Sequence, residues 1–286
     1  MQLPANGLKV LAPAKINLTL EILGKRSDGY HEIRSLMQPI SLFDILWIKA
    51  GSKGLEVHCP GHPELENDDN LIRRAIGFLE KEIGRPLALT IRLIKRIPIG
   101  GGLGGGSSDA AAVLSNLNLL LGRPVEPERL ETLAAQVGSD VPFFLNNQTA
   151  LALGRGEQIK PWPAFPLWWY VLICPGFPIA TSWAYSQVKF PLTPGKETIN
   201  IERLKERGEI PGKDRFKNDL EEIVQPAFPI LREIKQALLE QGCLQALMSG
   251  SGSTLFGIWE AEHQAGEAFK QLKRQGWGKV FMARGL

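Results

Sequence analysis

Cysteine is scarce in this chain. Its three cysteines, Cys59, Cys174 and Cys243, are odd in number, scattered and without a C-x-x-C pair. That argues against a disulfide framework and against a structural zinc site. Histidine is scarce too, with four residues in the whole chain. Long apolar runs are missing: the longest, Leu167 to Cys174, has eight residues, against about 20 for a membrane span. No sign of charge dominates, since 33 Lys and Arg against 30 Asp and Glu leave +3. That balance excludes a protein built to coat nucleic acid. The opening MQLPANGLKV lacks the charged head, apolar stretch and small-residue cleavage site of a signal peptide, so a cytoplasmic chain is expected. What remains is an ordinary globular composition, 44% hydrophobic and 22% charged over 286 residues, long enough for two domains. Apart from one glycine run there is no repeat and no low-complexity segment.

Residues 8–23 alternate from Ala14 onward. Ile16, Leu18, Leu20 and Ile22 fall on one face, and Lys15, Asn17, Thr19 and Glu21 on the other, as in a half-buried strand. Ser27-Asp28-Gly29 predicts a turn, after which the chain doubles back at Tyr30 and His31. A strand is predicted over 40–49, a polar loop around GHPELENDDN, and a helix over 71–84 capped by Asp69 or Asn70. A strand over 87–95 runs into the glycine loop. Helices follow over 109–122 and 127–137, then a short strand over 149–153. The Pro- and Trp-rich stretch PWPAFPLWWYVLICPGFP marks a composition shift, with the Trp residues of 162–169 read as packing and a domain boundary near 155–165. Beyond it come a strand at 168–174, helices near 181–188, 218–225 and 229–241, a strand–turn–strand around 248–259, a helix at 262–275 and a last strand, KVFMARG. Helices on one face of an antiparallel sheet give an α+β class, divided as domains 1–160 and 161–286.

The run from Gly100 to Gly106 holds six glycines in seven positions. Glycine is needed where backbone takes positive φ or closely approaches a ligand. A helix follows at once, and its unpaired amides and positive dipole end favour phosphate. A P-loop is rejected because Ser107 stands where its lysine belongs. The G-x-G-x-x-G pattern is matched by Gly100, Gly102 and Gly105, but a run of glycines matches it almost automatically. The preceding strand also mixes in polar residues, unlike the first strand of a doubly wound dinucleotide-binding sheet.

The stretch Pro98-Ile99-Gly100-Gly101-Gly102-Leu103-Gly104-Gly105-Gly106-Ser107-Ser108-Asp109-Ala110 resembles the phosphate-binding motif of the GHMP small-molecule kinases. Two further stretches narrow the resemblance. Pro13-Ala14-Lys15-Ile16-Asn17-Leu18, followed by Gly24 to His31, resembles the opening of the 4-diphosphocytidyl-2-C-methyl-D-erythritol kinases. Gly138-Ser139-Asp140-Val141-Pro142-Phe143-Phe144 resembles their catalytic Asp segment. Met248-Ser249-Gly250-Ser251-Gly252-Ser253-Thr254 is similar to the superfamily's third glycine-rich motif.

The resemblance implies an N-terminal domain of the ribosomal-protein-S5 type and a ferredoxin-like C-terminal domain. It implies transfer of the γ-phosphoryl of ATP to the 2-hydroxyl of the methylerythritol moiety, a step of non-mevalonate isoprenoid synthesis. Lys15 and Asp140 would be catalytic. Pro98, Ile99, Gly100, Gly101, Gly102, Leu103, Gly104, Gly105, Gly106, Ser107 and Ser108 would hold the phosphates, with Asn70 and Lys95 on the adenine side. Asn17, Tyr30, His31, Thr181 and Tyr185 would hold a substrate carrying cytidine diphosphate. Magnesium is expected with the nucleotide, and no protein ligand is assigned to it. Neither nucleic acid, membrane nor an obligate protein partner is expected. The competing readings are a homoserine or mevalonate type kinase, a catalytically silent sensor on the same fold, and a nucleotide-binding oxidoreductase.

Overall fold

A computed structural model describes residues 7–163, 166–189 and 216–286 of the chain. Its residues fall into two units that interleave along the sequence: Met1–Ala14, Leu42–Ile97 and Gly104–Asn147 in the first; Lys15–Ser41, Pro98–Leu103 and Gln148–Leu286 in the second.

In the first unit, β4 (Leu55–His58) pairs in parallel with β5 (Leu89–Ile94), and β5 pairs antiparallel with Ile45–Ala50 of β3 (His31–Ala50). The sequence LTIRLI explains β5: Leu89, Ile91 and Leu93 are buried while Arg92 is exposed, the alternation of a half-covered strand. Helix α1 (Leu71–Ile83) buries Ile72, Ala75, Ile76 and Leu79 at helical spacing. Of the two expected caps, Asn70 is the one used, its side chain accepting from the Ile72 amide, and the helix ends on left-handed Gly84. Helix α2 (Gly105–Leu120) is buried over most of its circumference from Ser108 to Leu117. Helices α3 (Pro127–Val137) and α4 (Phe143–Asn146) follow.

In the second unit, Ile33–Met37 of β3 pairs with β6 (Ala150–Gly154), which pairs in turn with β7 (Gln158–Pro161); β2 (Glu21–Lys25) forms a hairpin with the start of β3. The remaining strands, β8 (Trp169–Cys174), β9 (Ala246–Met248), β10 (Leu255–Trp259) and β11 (Lys279–Arg284), form an antiparallel sheet of order β11-β8-β10-β9. Helices α5 (Thr181–Ser186), α6 (Glu221–Ala227) and α7 (Ile230–Glu240) lie between β8 and β9 in sequence, and α8 (Glu262–Arg274) between β10 and β11. Strand–helix–strand–strand–helix–strand in this order is the ferredoxin-like arrangement. Leu231, Ile234 and Leu238 of α7 and Ala265, Ala268 and Leu272 of α8 share one core with Val171, Ile173 and Leu255. Trp162 is buried and Trp168 packs edge-on to Phe216 at 5.8 Å, so these two belong to packing, as expected.

Three expectations need correction. The strand expected over 8–23 is two: β1 (Leu8–Asn17) ends, and the chain leaves the ladder before β2. Leu18 and Thr19 both donate to the Leu36 carbonyl, and Leu20 exchanges backbone bonds with Lys217 and Asp219. The strand expected over 40–49 starts at His31, because residues 35–40 are all buried and show no alternation to read. Helix α2 begins at Gly105, four residues before Asp109: Gly104 at φ +69° supplies the left-handed entry, and the Ser108 amide already donates to the Gly104 carbonyl.

Candidate active site

In the second unit, the polar face of β1 is not solvated. Lys15 is 4% and Asn17 3% exposed. The Lys15 ammonium donates to the Asn17 Oδ1, the Asn17 Nδ2 donates to Ser35 Oγ at 2.7 Å, and Ser35 Oγ donates to the Thr19 carbonyl at 2.6 Å. A buried ammonium needs such partners, and the short alternation of β1 supplies them. The Lys15 amide also donates to the Leu103 carbonyl at 3.0 Å, tying β1 to the glycine loop.

The loop residues 98–103 pack on the turn 249–254 of the same unit. Gly102, at φ +78°, would put a Cβ 2.1 Å from the Ser249 carbonyl oxygen, so no other residue fits. Its own carbonyl accepts from Ser249 Oγ at 3.0 Å, and the Gly101 carbonyl accepts from the Thr254 amide at 3.3 Å. A Cβ on Gly250 would stand 3.4 Å from both Lys15 Nζ and Asn17 Oδ1. Sequence reading missed what holds this turn. Asn218 Nδ2 donates to the Met248 and Gly250 carbonyls at 2.8 and 2.7 Å, and Glu221 Oε1 accepts from the Met248 amide. Neither residue stands in a motif, so nothing in the sequence singled them out.

In the first unit, Gly104 to Ser108 form the entry and first turn of α2, and the backbone amides up to Ser107 lack i−4 acceptors within the helix. Ser108 is buried, and its Oγ has no hydrogen-bond partner among the described residues. A Cβ on Gly106 would meet Leu71 at 3.7 Å, so the α1 N-terminus lies beside this turn. A Cβ on Gly138 would lie 4.0 Å from Ser107 Oγ, which brings the Asp140 segment to the same turn. Asp140 itself is half-buried between α3 and α4, in a turn anchored by buried Val141, Phe143 and Phe144.

The two adenine-side candidates use their side chains within the protein. Asn70 donates to the Leu65 carbonyl while capping α1. The Lys95 ammonium lies between the carboxylates of Asp44 and Asp109, 3.0 Å from the latter. Burial would lower its pKa, but Asp109 and Asp44 together hold it above the usual lysine range. Burial pushes the Asp109 carboxyl up to about 8, against the pull of Lys95. At Asp109 the cost of burying the charged carboxylate thus outweighs the attraction of Lys95. Asp44 Oδ1 accepts from the Arg96 and Ile97 amides, bracing the chain just before Pro98. Asp44 carried no sequence signal, being a lone acid inside an apolar strand.

The hairpin between β2 and β3 carries an aromatic corner. Tyr30 at its tip is 51% exposed, and its amide donates to Asp28 Oδ1 at 3.1 Å. The His31 and Tyr185 rings lie 5.2 Å apart and tilted by 31°. Thr181, one turn before Tyr185 on α5, shares a 3.0 Å hydrogen bond with Ser251 Oγ. Burial, and then Lys25, lower the His31 pKa, favouring a neutral ring with one donor and one acceptor nitrogen. Arg155, missed from sequence, places its guanidinium 5.0 Å from the Tyr30 ring centroid.

The GHMP kinases N terminal domain matches residues 70–148 and the GHMP kinases C terminal domain residues 201–277. A curated 4-diphosphocytidyl-2-C-methyl-D-erythritol kinase of Syntrophus aciditrophicus is 41% identical over 281 residues, covering 98% of this chain and 99% of that protein. A solved 4-(cytidine 5'-diphospho)-2C-methyl-D-erythritol kinase is 37% identical, with a TM-score of 0.82 over 97% of this chain and 99% of that one. A homoserine kinase from Cytophaga hutchinsonii reaches a TM-score of 0.74 over 99% of this chain and 96% of its own, at 18% identity, a likeness of fold alone. No helix among the described residues is long and apolar enough to cross a membrane. The chain belongs to the GHMP kinases, which are ATP-dependent small-molecule kinases, and within them to the 4-diphosphocytidyl-2-C-methyl-D-erythritol kinase family.

Proposed function

We propose that this chain transfers the γ-phosphoryl of ATP to the 2-hydroxyl of 4-diphosphocytidyl-2-C-methyl-D-erythritol, giving the 2-phosphate and ADP in the non-mevalonate isoprenoid pathway. The observation that carries the choice of substrate is the aromatic corner: His31 against Tyr185, with Tyr30 beside them on the hairpin. A flat base stacks on aromatic rings and hydrogen-bonds to a neutral imidazole. Homoserine and mevalonate have no base to place there.

Phosphoryl transfer asks a protein mainly for positioning and charge stabilisation. In this reading the backbone amides of Gly100 to Gly106, with Pro98, Ile99 and Leu103 shaping the loop, cradle the ATP phosphates, and Ser107 and Ser108 add hydroxyl donors. The Asn70–Leu71 and Lys95 segments border the adenine through their backbone, since both side chains are engaged elsewhere. Lys15 offsets phosphate charge, and Asn17 orients the substrate near its reacting hydroxyl. Thr181 and Tyr185 hold the cytidine side. The 2-hydroxyl oxygen forms its bond to the γ-phosphorus as the bond to the β,γ-bridging oxygen breaks, and its proton passes to the Asp140 carboxylate. Among the described residues no three His, Cys, Asp or Glu side chains cluster in a way that could hold a metal ion. Magnesium would accompany the nucleotide and offset charge on its phosphates.

The division into an N-terminal domain of residues 1–160 and a C-terminal domain of 161–286 belongs to the same reading, supported by family matches that fall on either side of it. So does a cytoplasmic setting. The test is a coupled assay of ADP release. Release that depends on the cytidyl substrate, and is absent with homoserine or mevalonate, is expected; the reverse preference would overturn the reading.

A further inference from the structure

Tyr30 stands at the tip of a hairpin with half its surface in water, which is a poor way to hold a ring that must meet a base. An exposed ring loses freedom on binding, and that loss weakens affinity. Backbone register supplies a remedy from a distant part of the chain. Strand β6 pairs with β3 so that Gly154 stands opposite Ile33. The chain then turns sharply. Gly154 has φ +70°, the Gly156 amide donates to the Leu153 carbonyl at 3.0 Å, and the Arg155 amide donates to Glu157 Oε2 at 2.8 Å. This turn sets Arg155 beside the start of β3, with its guanidinium carbon 5.0 Å from the Tyr30 ring centroid. The Arg155 side chain is 31% exposed and its Nε lies 3.9 Å from the Glu157 carboxylate, so it is steered without being buried.

We propose that Arg155 is a positioning residue for the substrate's base: its guanidinium lies on one face of the Tyr30 ring and so presents the other face to the pyrimidine. The inference rests on the reading above that a cytidine diphosphate binds at this hairpin. A planar cation suits the task, because it stacks on an aromatic face and stays charged at every working pH. Arg155 does not touch the reacting atoms in this account. Its effect belongs to the affinity for the cytidyl substrate and not to turnover or to ATP.

Arg155→Met keeps length and removes charge, and Arg155→Lys keeps charge without the planar fork. For an exposed cation–π contact, Arg155→Met should raise KM for the cytidyl substrate about two- to fivefold. Turnover and KM for ATP should stay at wild-type values, and the melting temperature should confirm a folded variant. Arg155→Lys should recover at least half of the loss. An unchanged KM in Arg155→Met, a parallel change in turnover or in KM for ATP, or a lysine variant as weak as the methionine one would each overturn the proposal. Calorimetry with cytidine 5'-diphosphate separates this from the proposed function. If wild type binds that nucleotide more tightly than Arg155→Met, yet releases no ADP with the cytidyl substrate, the activity reading falls and the role of Arg155 stands. If both proteins bind it equally, or neither binds it, the role of Arg155 falls.

Discussion

Asp109→Asn exchanges a buried carboxyl for an amide of nearly the same shape, which can still accept from Lys95. Burial raises the folded-state pKa of Asp109 from 3.8 to about 8. Between those values the folded chain holds a proton that the unfolded chain has released. Stability then falls as pH rises, because the folded state binds more protons. The slope is about 1.4 kcal/mol per pH unit. From pH 5 to pH 8 that amounts to at most about 4 kcal/mol, and relaxation of the site brings the expected value nearer 2 kcal/mol. Lys95 does not blur the window. Its folded pKa is raised above 10.5, so its contribution is fully present below the unfolded value and is lost only above the range tested. Urea denaturation of wild type and variant at pH 5, 6.5 and 8 measures the difference, and other carboxylates cancel in the subtraction. The two proteins should have similar stability at pH 5, and the variant should gain about 2–4 kcal/mol on wild type by pH 8. A difference that stays constant across the three pH values would show that Asp109 does not keep its proton when folded.

Gly102→Ala should lower ATP affinity sharply by calorimetry, since its Cβ would sit 2.1 Å from the Ser249 carbonyl oxygen. Gly122→Ala, with a similar positive φ but nothing within 4 Å, should leave ATP binding intact. Tyr185→Ala should weaken binding of the cytidyl substrate by about 1–3 kcal/mol without touching ATP, and Tyr185→Phe should nearly restore it; equal binding by alanine and wild type would remove Tyr185 from the site. Asp140→Asn should cut turnover about 10²- to 10⁴-fold with both substrates still bound, and near-normal turnover would take the proton acceptor away from Asp140.

Sequence periodicity states which residues share a face, and it is silent on what covers that face. Lys15 and Asn17 were legible as partners on one side of a strand, yet their burial depends on Ser35, on the loop carbonyl of Leu103 and on Gly250. The same limit hid β4 and β7, four residues each, too short to show a period. Helix α2 was misplaced for a different reason. Glycine disfavours helix interiors, but α2 opens on left-handed Gly104 and carries Gly105 and Gly106 in its first turn, where low propensity is tolerated. The helices α1 and α3 were read almost to the residue because their caps and stripes are local.

What no local pattern could give is a side chain whose meaning comes from register. Asp44 is an isolated acid in an apolar strand until β3 pairs with β5, placing it against Lys95 and the two amides that lead into the glycine loop. Arg155 is an isolated base in a tight turn until Gly154 pairs with Ile33 and brings it over Tyr30. Both residues act through β3, a strand whose first half pairs into the Tyr30 hairpin and whose second half braces the approach to the glycine loop. The motifs in the sequence name the groups proposed to meet the ligands. The long strand, almost without motif, decides where those groups are held, which is why its residues are the places to look for variants that alter affinity while leaving the chemistry intact.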